Sequence, residues 1–300
     1  MRTIPRRVLG VCGLVWMLAA APAAHAQRVT YSGSASYSGG SYIFDTRSDN
    51  YMISNGLRFG FGPVTVGVSV PLLIYNGGLV TTVATGVPLP TGGTQGDVVR
   101  DRDSGETIGT KGKGRQPVPE QPIVTDSVVF QEAFQTNFGD PYLSADAEIY
   151  SGFGTLRSVS LTGNAKIPLA DVSTGVSSGK WDFGAGTSFI LSAGRAMLLA
   201  DVAYWWLGDM PDLVLNDGLS YALGVSVPAF SGRGSVMGLF SGMSKTIDNM
   251  QSTMTVTGSV GRSVGERIFL NAGLGFGLTE SAPDFYATLG WSVRLDPMGR

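Results

Sequence analysis

Gly175-Val176-Ser177-Ser178-Gly179 has the G-x-S-x-G spacing of a hydrolase nucleophile elbow, in which a serine on a strand-to-helix turn is activated by a histidine. The chain holds one histidine, His25, and one cysteine, Cys12, both within its first 26 residues. Ser177 therefore has no imidazole to take its proton, and its Gly/Ser surroundings read as a flexible surface loop. The same shortage removes the commonest zinc and haem ligands. Asp101 to Glu106, "DRDSGE", opens like a calcium loop, but its glycine comes one place early and no acidic residue stands at the twelfth position, so it reads as a solvated loop tip. No catalytic residue, metal site or cofactor is expected.

The charged residues are more informative. In "MLLADVAYWWLGD", Met197 to Asp209, Asp201 sits in an apolar run with no basic residue nearby. Such a carboxylate is either buried at large cost or turned toward water. Read with period two, Leu198, Ala200, Val202, Tyr204 and Trp206 share one face and Asp201 takes the other. The same parity sets Arg58, Asp146, Glu148, Lys166, Asp182 and Arg294 opposite apolar faces. These seven residues are expected to line a watery interior. Their mixed signs suit a rigidifying salt-bridge network as much as a selectivity ring, and Lys166 and Asp182, flanking residues 168–180, are placed to pair. Thr253, Thr255, Thr257, Ser259 and Asn271 would add polar lining.

Strands with two unlike faces are what such placement requires. Leu57, Phe59 and Phe61, then Val64, Val66, Val68, Val70, Leu72 and Ile74, alternate with small or polar residues around Gly62-Pro63. Counting these two, eleven such segments run from residue 50 onward, most of about 9 to 12 residues, close to the length of a tilted strand that crosses a bilayer. A twelfth is placed within residues 34–47. Alternate connections are short (62–63, 151–156, 193–196, 228–234, 261–266), whereas the others (76–139, 168–180, 207–216, 245–250, 279–284) are on average longer. That asymmetry marks a membrane barrel with short periplasmic turns and longer outer loops. Tyr51, Tyr75, Tyr142, Tyr150, Trp181, Trp205, Trp206, Phe285 and Trp291 fall mostly near segment ends, where rings settle at membrane interfaces.

The N-terminus fits export. Arg2, Arg6 and Arg7 precede an apolar run, and Ala24-His25-Ala26 offers an A-x-A cleavage site, so residues 1–26 read as a signal peptide and 27–300 as the mature barrel. Removal of three arginines leaves a chain more acidic than the whole-chain formal charge of −2, and no basic surface for nucleic acid is expected. No other run approaches the ~18 to 20 apolar residues of a membrane-spanning helix.

Residues 139–295 resemble the outer-membrane family named for the meta-pathway of phenol degradation. The likeness lies in "GDPYLSADAEIY", "LTGNAKIPLADVSTGVSSGKWDFGAGTSFILS", "LLADVAYWWLGD", "LNDGLSYALGVS" and "APDFYATLGWSVRL". The resemblance implies an outer-membrane barrel that transports small, often aromatic, compounds, and it brings no catalytic set. The long insert and the ending "SVRLDPMGR", without a terminal aromatic, depart from it.

The expected fold is thus all-β: a transmembrane antiparallel barrel of about 12 strands, with 10 and 14 as neighbouring alternatives, and one long extracellular loop at 76–139. That loop either folds into the mouth or stays outside. The expected function is a channel or uptake protein for passive passage of small molecules, with hydrophobic or aromatic solutes being what the resemblance implies. The other reading is a surface or secretion-related barrel working through the long loop. Expected partners are outer-membrane lipid, lipopolysaccharide and small solutes.

Overall fold

The computed structural model describes residues 28–42, 47–76, 80–82, 88–90, 134–174, 176–209, 214–248 and 250–295. Residues 1–26, expected from the sequence to be a signal peptide, and most of the 76–139 insert lie outside them. The strands are β1 (Arg28–Gly40), β2 (Ser48–Phe61), β3 (Val64–Asn76), β4 (Val80–Thr82), β5 (Pro88–Pro90), β6 (Gln135–Phe138), β7 (Tyr142–Ser151), β8 (Leu156–Lys166), β9 (Asp182–Ala193), β10 (Ala196–Trp206), β11 (Gly218–Ala229), β12 (Gly234–Met243), β13 (Thr253–Val264), β14 (Ile268–Gly277) and β15 (Phe285–Leu295).

Twelve of them close a ring. The order β2-β1-β15-β14-β13-β12-β11-β10-β9-β8-β7-β3 returns on itself through β2–β3, and every pairing is antiparallel. Closure leaves no unpaired edge, which a sheet in hydrocarbon requires. The extra strand β6 pairs with Leu72 to Tyr75 of β3, beyond the stretch of β3 that pairs with β7. Between β6 and β7, the Gly139 N–H still donates to the Pro71 carbonyl at 2.9 Å, so the two are one interrupted strand. β4 and β5 pair antiparallel as a separate two-stranded sheet.

The register sorts side chains into two populations. Leu57↔Val68, Leu198↔Val225, Leu223↔Phe240 and Ala272↔Leu289 share the outer face; Ser34↔Ser54, Ser32↔Ser292 and Thr257↔Gly275 share the inner. Outer leucines are bare: Leu223 is 59% exposed and Leu289 60%. A belt of this kind is far larger than the apolar patches soluble proteins leave in water, at roughly 25 cal/mol per Å², and it suits hydrocarbon.

The short turns all lie at one end. Gly62 and Gly194 adopt φ of 61° and 63° there, a left-handed conformation that strains residues with a Cβ.

Three expectations need correction. The first strand runs from Arg28 to Gly40, not within 34–47. In "RVTYSGSASYSGG" the inner phase is Ser32, Ser34, Ser36 and Ser38, and the outer phase includes Gly33, Ala35 and Gly39, so small residues on both faces flatten the alternation. β13 continues to Val264, which shortens the turn expected at 261–266. Tyr75, Tyr142 and Trp205 turn inward, sharing register positions with Gln135, Lys166 and Gly218, because a strand-end position says nothing about face while parity does.

Candidate functional site

The lumen differs between its two ends. At the long-loop end, the break after β6 places Asp140, 3% exposed, at the rim. Its Oδ1 accepts the backbone N–H groups of Leu169 (2.9 Å) and Ala170 (2.8 Å), and its Oδ2 accepts the Ser177 hydroxyl at 2.6 Å. Lys166 and Asp182, direct neighbours across β8 and β9, pair at 2.7 Å. The ammonium also donates to Ser178 Oγ at 2.9 Å and lies 3.9 Å from Asp140. The second oxygen of Asp182 accepts the Gly208 N–H at 2.8 Å. Each buried charge thereby has both an opposite charge and hydrogen-bond donors or acceptors, which is the condition for tolerating it.

These bonds hold Val176, Ser177 and Ser178 buried against inner-face residues of the barrel. Val176 packs on Leu73 and Tyr75, with Met52 and Ala170 alongside, and the Tyr75 hydroxyl donates to the Thr174 carbonyl at 3.0 Å. Beside it, Trp205, Leu207 and Met243 form a second buried cluster, with the Trp205 indole N–H donating to Ser220 Oγ at 3.0 Å.

The segment around Ser177 is accordingly a buried plug, not a flexible surface loop: Ser177 is 2% exposed. Its hydroxyl donates to Asp140 and accepts the Gly179 N–H at 3.0 Å. Ser178 Oγ receives the lysine ammonium and the Lys180 N–H. An ammonium already held by Asp182 donates and cannot serve as a base, so the arrangement anchors a loop rather than activating a nucleophile. Asp140, the hub of this network, was absent from the charges singled out by parity. It lies in the gap between strands, where alternation has no reach, and only the Asp-Pro step marks the chain's turn there.

The seven charges part company. Lys166 and Asp182 are buried in the plug's anchor. Arg58, Asp146, Glu148, Asp201 and Arg294 take inner-face register positions yet remain exposed. Glu148 accepts the Ser158 hydroxyl at 3.2 Å. Asp201 thus shares its face with the other four and stands opposite the bare leucines of the outer face, Leu198 and Leu223 among them.

Below the plug is a cavity of about 440 Å³, walled by β1, β2, β3, β7, β14 and β15. Ser32, Ser54, Ser69, Ser144, Asn271 and Thr288 line it with Arg58 and Phe269. Hydroxyls outnumber apolar side chains, so it is a wet site. Among the described residues no cluster of His, Cys, Asp or Glu is placed to hold a metal.

No known family profile matches the sequence, and no characterised protein matches it at significant similarity. Solved structures do. An outer-membrane channel from Pseudomonas putida F1 superposes with a TM-score of 0.63 at 9% identity, over 90% of this chain and 96% of that one. The fold is that of a closed antiparallel barrel like those of outer-membrane proteins. At lower overlap come the CymD monoaromatic hydrocarbon channel, TM-score 0.46 at 9% identity over 95% and 94% of the two chains, and the KdgM porin with disordered oligogalacturonate, 0.43 at 8% over 89% and 98%.

Proposed function

We propose that the chain is an outer-membrane channel or uptake protein through which small molecules, including hydrophobic or aromatic ones, pass passively. The observation that carries this reading is a closed ring whose outer wall is bare hydrocarbon and whose inner wall encloses a hydroxyl-lined cavity. On this reading residues 1–26 direct export, 27–300 form the barrel, the short turns face the periplasm, and the 76–139 insert is extracellular. Outer-membrane lipid and lipopolysaccharide surround the belt. Arg58, Asp146, Glu148, Asp201 and Arg294 line the solute path, while Lys166 and Asp182 fix the plug that narrows it.

Passive passage needs no moving part, but the inserted plug sets the width, so a small unit conductance is expected. Planar-bilayer recording tests this. The full chain should give discrete small steps, and removal of residues 170–179 should enlarge them. A barrel that stays silent in both forms contradicts the channel reading and points to surface interaction through the insert.

A further inference from the structure

The cavity beneath the plug carries more recognition chemistry than a mere passage needs. Three glycines hollow it out. A Cβ on Gly67 would stand 2.6 Å from Ser144 Oγ and 3.4 Å from Arg58 Cγ; one on Gly56 would stand 2.6 Å from the Val68 carbonyl oxygen; one on Gly290 would collide with the Asn271 side chain. The space so kept is about 440 Å³, within the usual range of about 300–1,000 Å³ for small-molecule sites.

Arg58 is the one charged side chain in that wall. Among the described residues it has no ion-pair partner within 4.0 Å. Asp146, two residues beyond Ser144, is close enough to feel its charge without forming such a pair. Arg58 and Arg294 stand on either side of Thr30, and Arg28 is opposite Gly60, so three guanidiniums share the inner face of β15, β1 and β2, with the carboxylates of Asp146 and Glu148 on β7, two strands from β2. Asp201, on β10, is six strands away from β1 in either direction around the ring.

We propose that this cavity is a binding subsite for a small carboxylate-bearing solute, with Arg58 as anchor and the surrounding hydroxyls as further hydrogen-bond partners. The inference rests on the channel reading and narrows its solute class. A planar guanidinium takes a carboxylate through two parallel N–H···O bonds, and rotatable Ser and Thr hydroxyls donate to what remains. A plain hydrocarbon would gain none of this and would strip water from the guanidinium and hydroxyls. Phe269 in the same wall supplies apolar surface, so an aromatic acid meets both kinds of lining.

Ligand-observed NMR titration of the folded full chain in detergent, with benzoate against its neutral analogue benzamide, tests the subsite independently of conductance. Wild type should prefer benzoate. Arg58→Gln should lose that preference, weakening benzoate by about tenfold or more, as expected for a lost charged hydrogen bond. Arg58→Lys, which keeps the charge but not the fork, should retain a reduced preference and so separates lost recognition from misfolding. Equal binding of benzoate and benzamide by wild type, or an Arg58→Gln protein that still folds and keeps the preference, overturns the subsite even if the barrel conducts. A benzoate preference in a barrel that never conducts overturns the channel reading alone.

Discussion

Lys166 shows how one side chain can hold an element in place. It joins the Asp182 carboxylate at 2.7 Å to Ser178 of the plug, with Asp140 at 3.9 Å. Lys166→Met would leave two buried carboxylates facing each other without a cation. A destabilisation of about 3–5 kcal/mol is expected, as for other buried pairs broken on one side, unless the plug swings out to hydrate them. Either result is readable: a lower midpoint in denaturant unfolding, or a normal midpoint with an enlarged unit conductance. A variant with unchanged midpoint and unchanged conductance would contradict the anchoring role. At this scale the sequence was legible where parity applied. Asp201, flanked by Ala200 and Val202 and beside Tyr204, announces its face, and the Lys166–Asp182 contact follows from two strand ends bracketing one loop. Asp140 and the inward turn of Ser177 were not legible, because loop residues carry no period and their placement is set by partners distant in sequence.

The strands owe their register to hairpin turns as much as to their faces. Gly194 links β9 to β10 at φ 63°, with nothing within 4 Å of where a Cβ would stand. Gly194→Ala therefore meets no clash and tests backbone conformation alone. It should cost about 1–2 kcal/mol, read as faster unfolding in urea, with conductance unchanged. No loss would mean that the turn relaxes to another type. Element boundaries were read well where large residues alternate with small ones, as in β3 and β10. They were read poorly at β1, whose outer phase includes Gly33, Ala35 and Gly39 and so resembles its serine-rich inner phase. The inward tyrosines and Trp205 were lost to a positional argument, although "YWW" itself carries the answer: with Tyr204 and Trp206 outward, Trp205 between them must face in.

The molecule as a whole inverts the arrangement of a soluble protein, with its hydrocarbon outside and its hydroxyls inside, and every later claim about plug and cavity presupposes that inversion. The proposed mature chain contains no cysteine, since Cys12 lies in the segment read as the signal peptide, so single cysteines can be placed at will. Ala222 and Leu223 are adjacent on β11; Ala222 is paired with Asp201 and Ser241 on the inner face, and Leu223 with Ala200 and Phe240 on the outer. The most direct measurement compares Ala222→Cys with Leu223→Cys in reconstituted bilayers. A small, water-soluble maleimide should label the first and spare the second, while a fluorophore attached at the second before reconstitution should be quenched by brominated lipid and one at the first should not. Equal labelling at the two positions, or lipid quenching at position 222, would contradict the account.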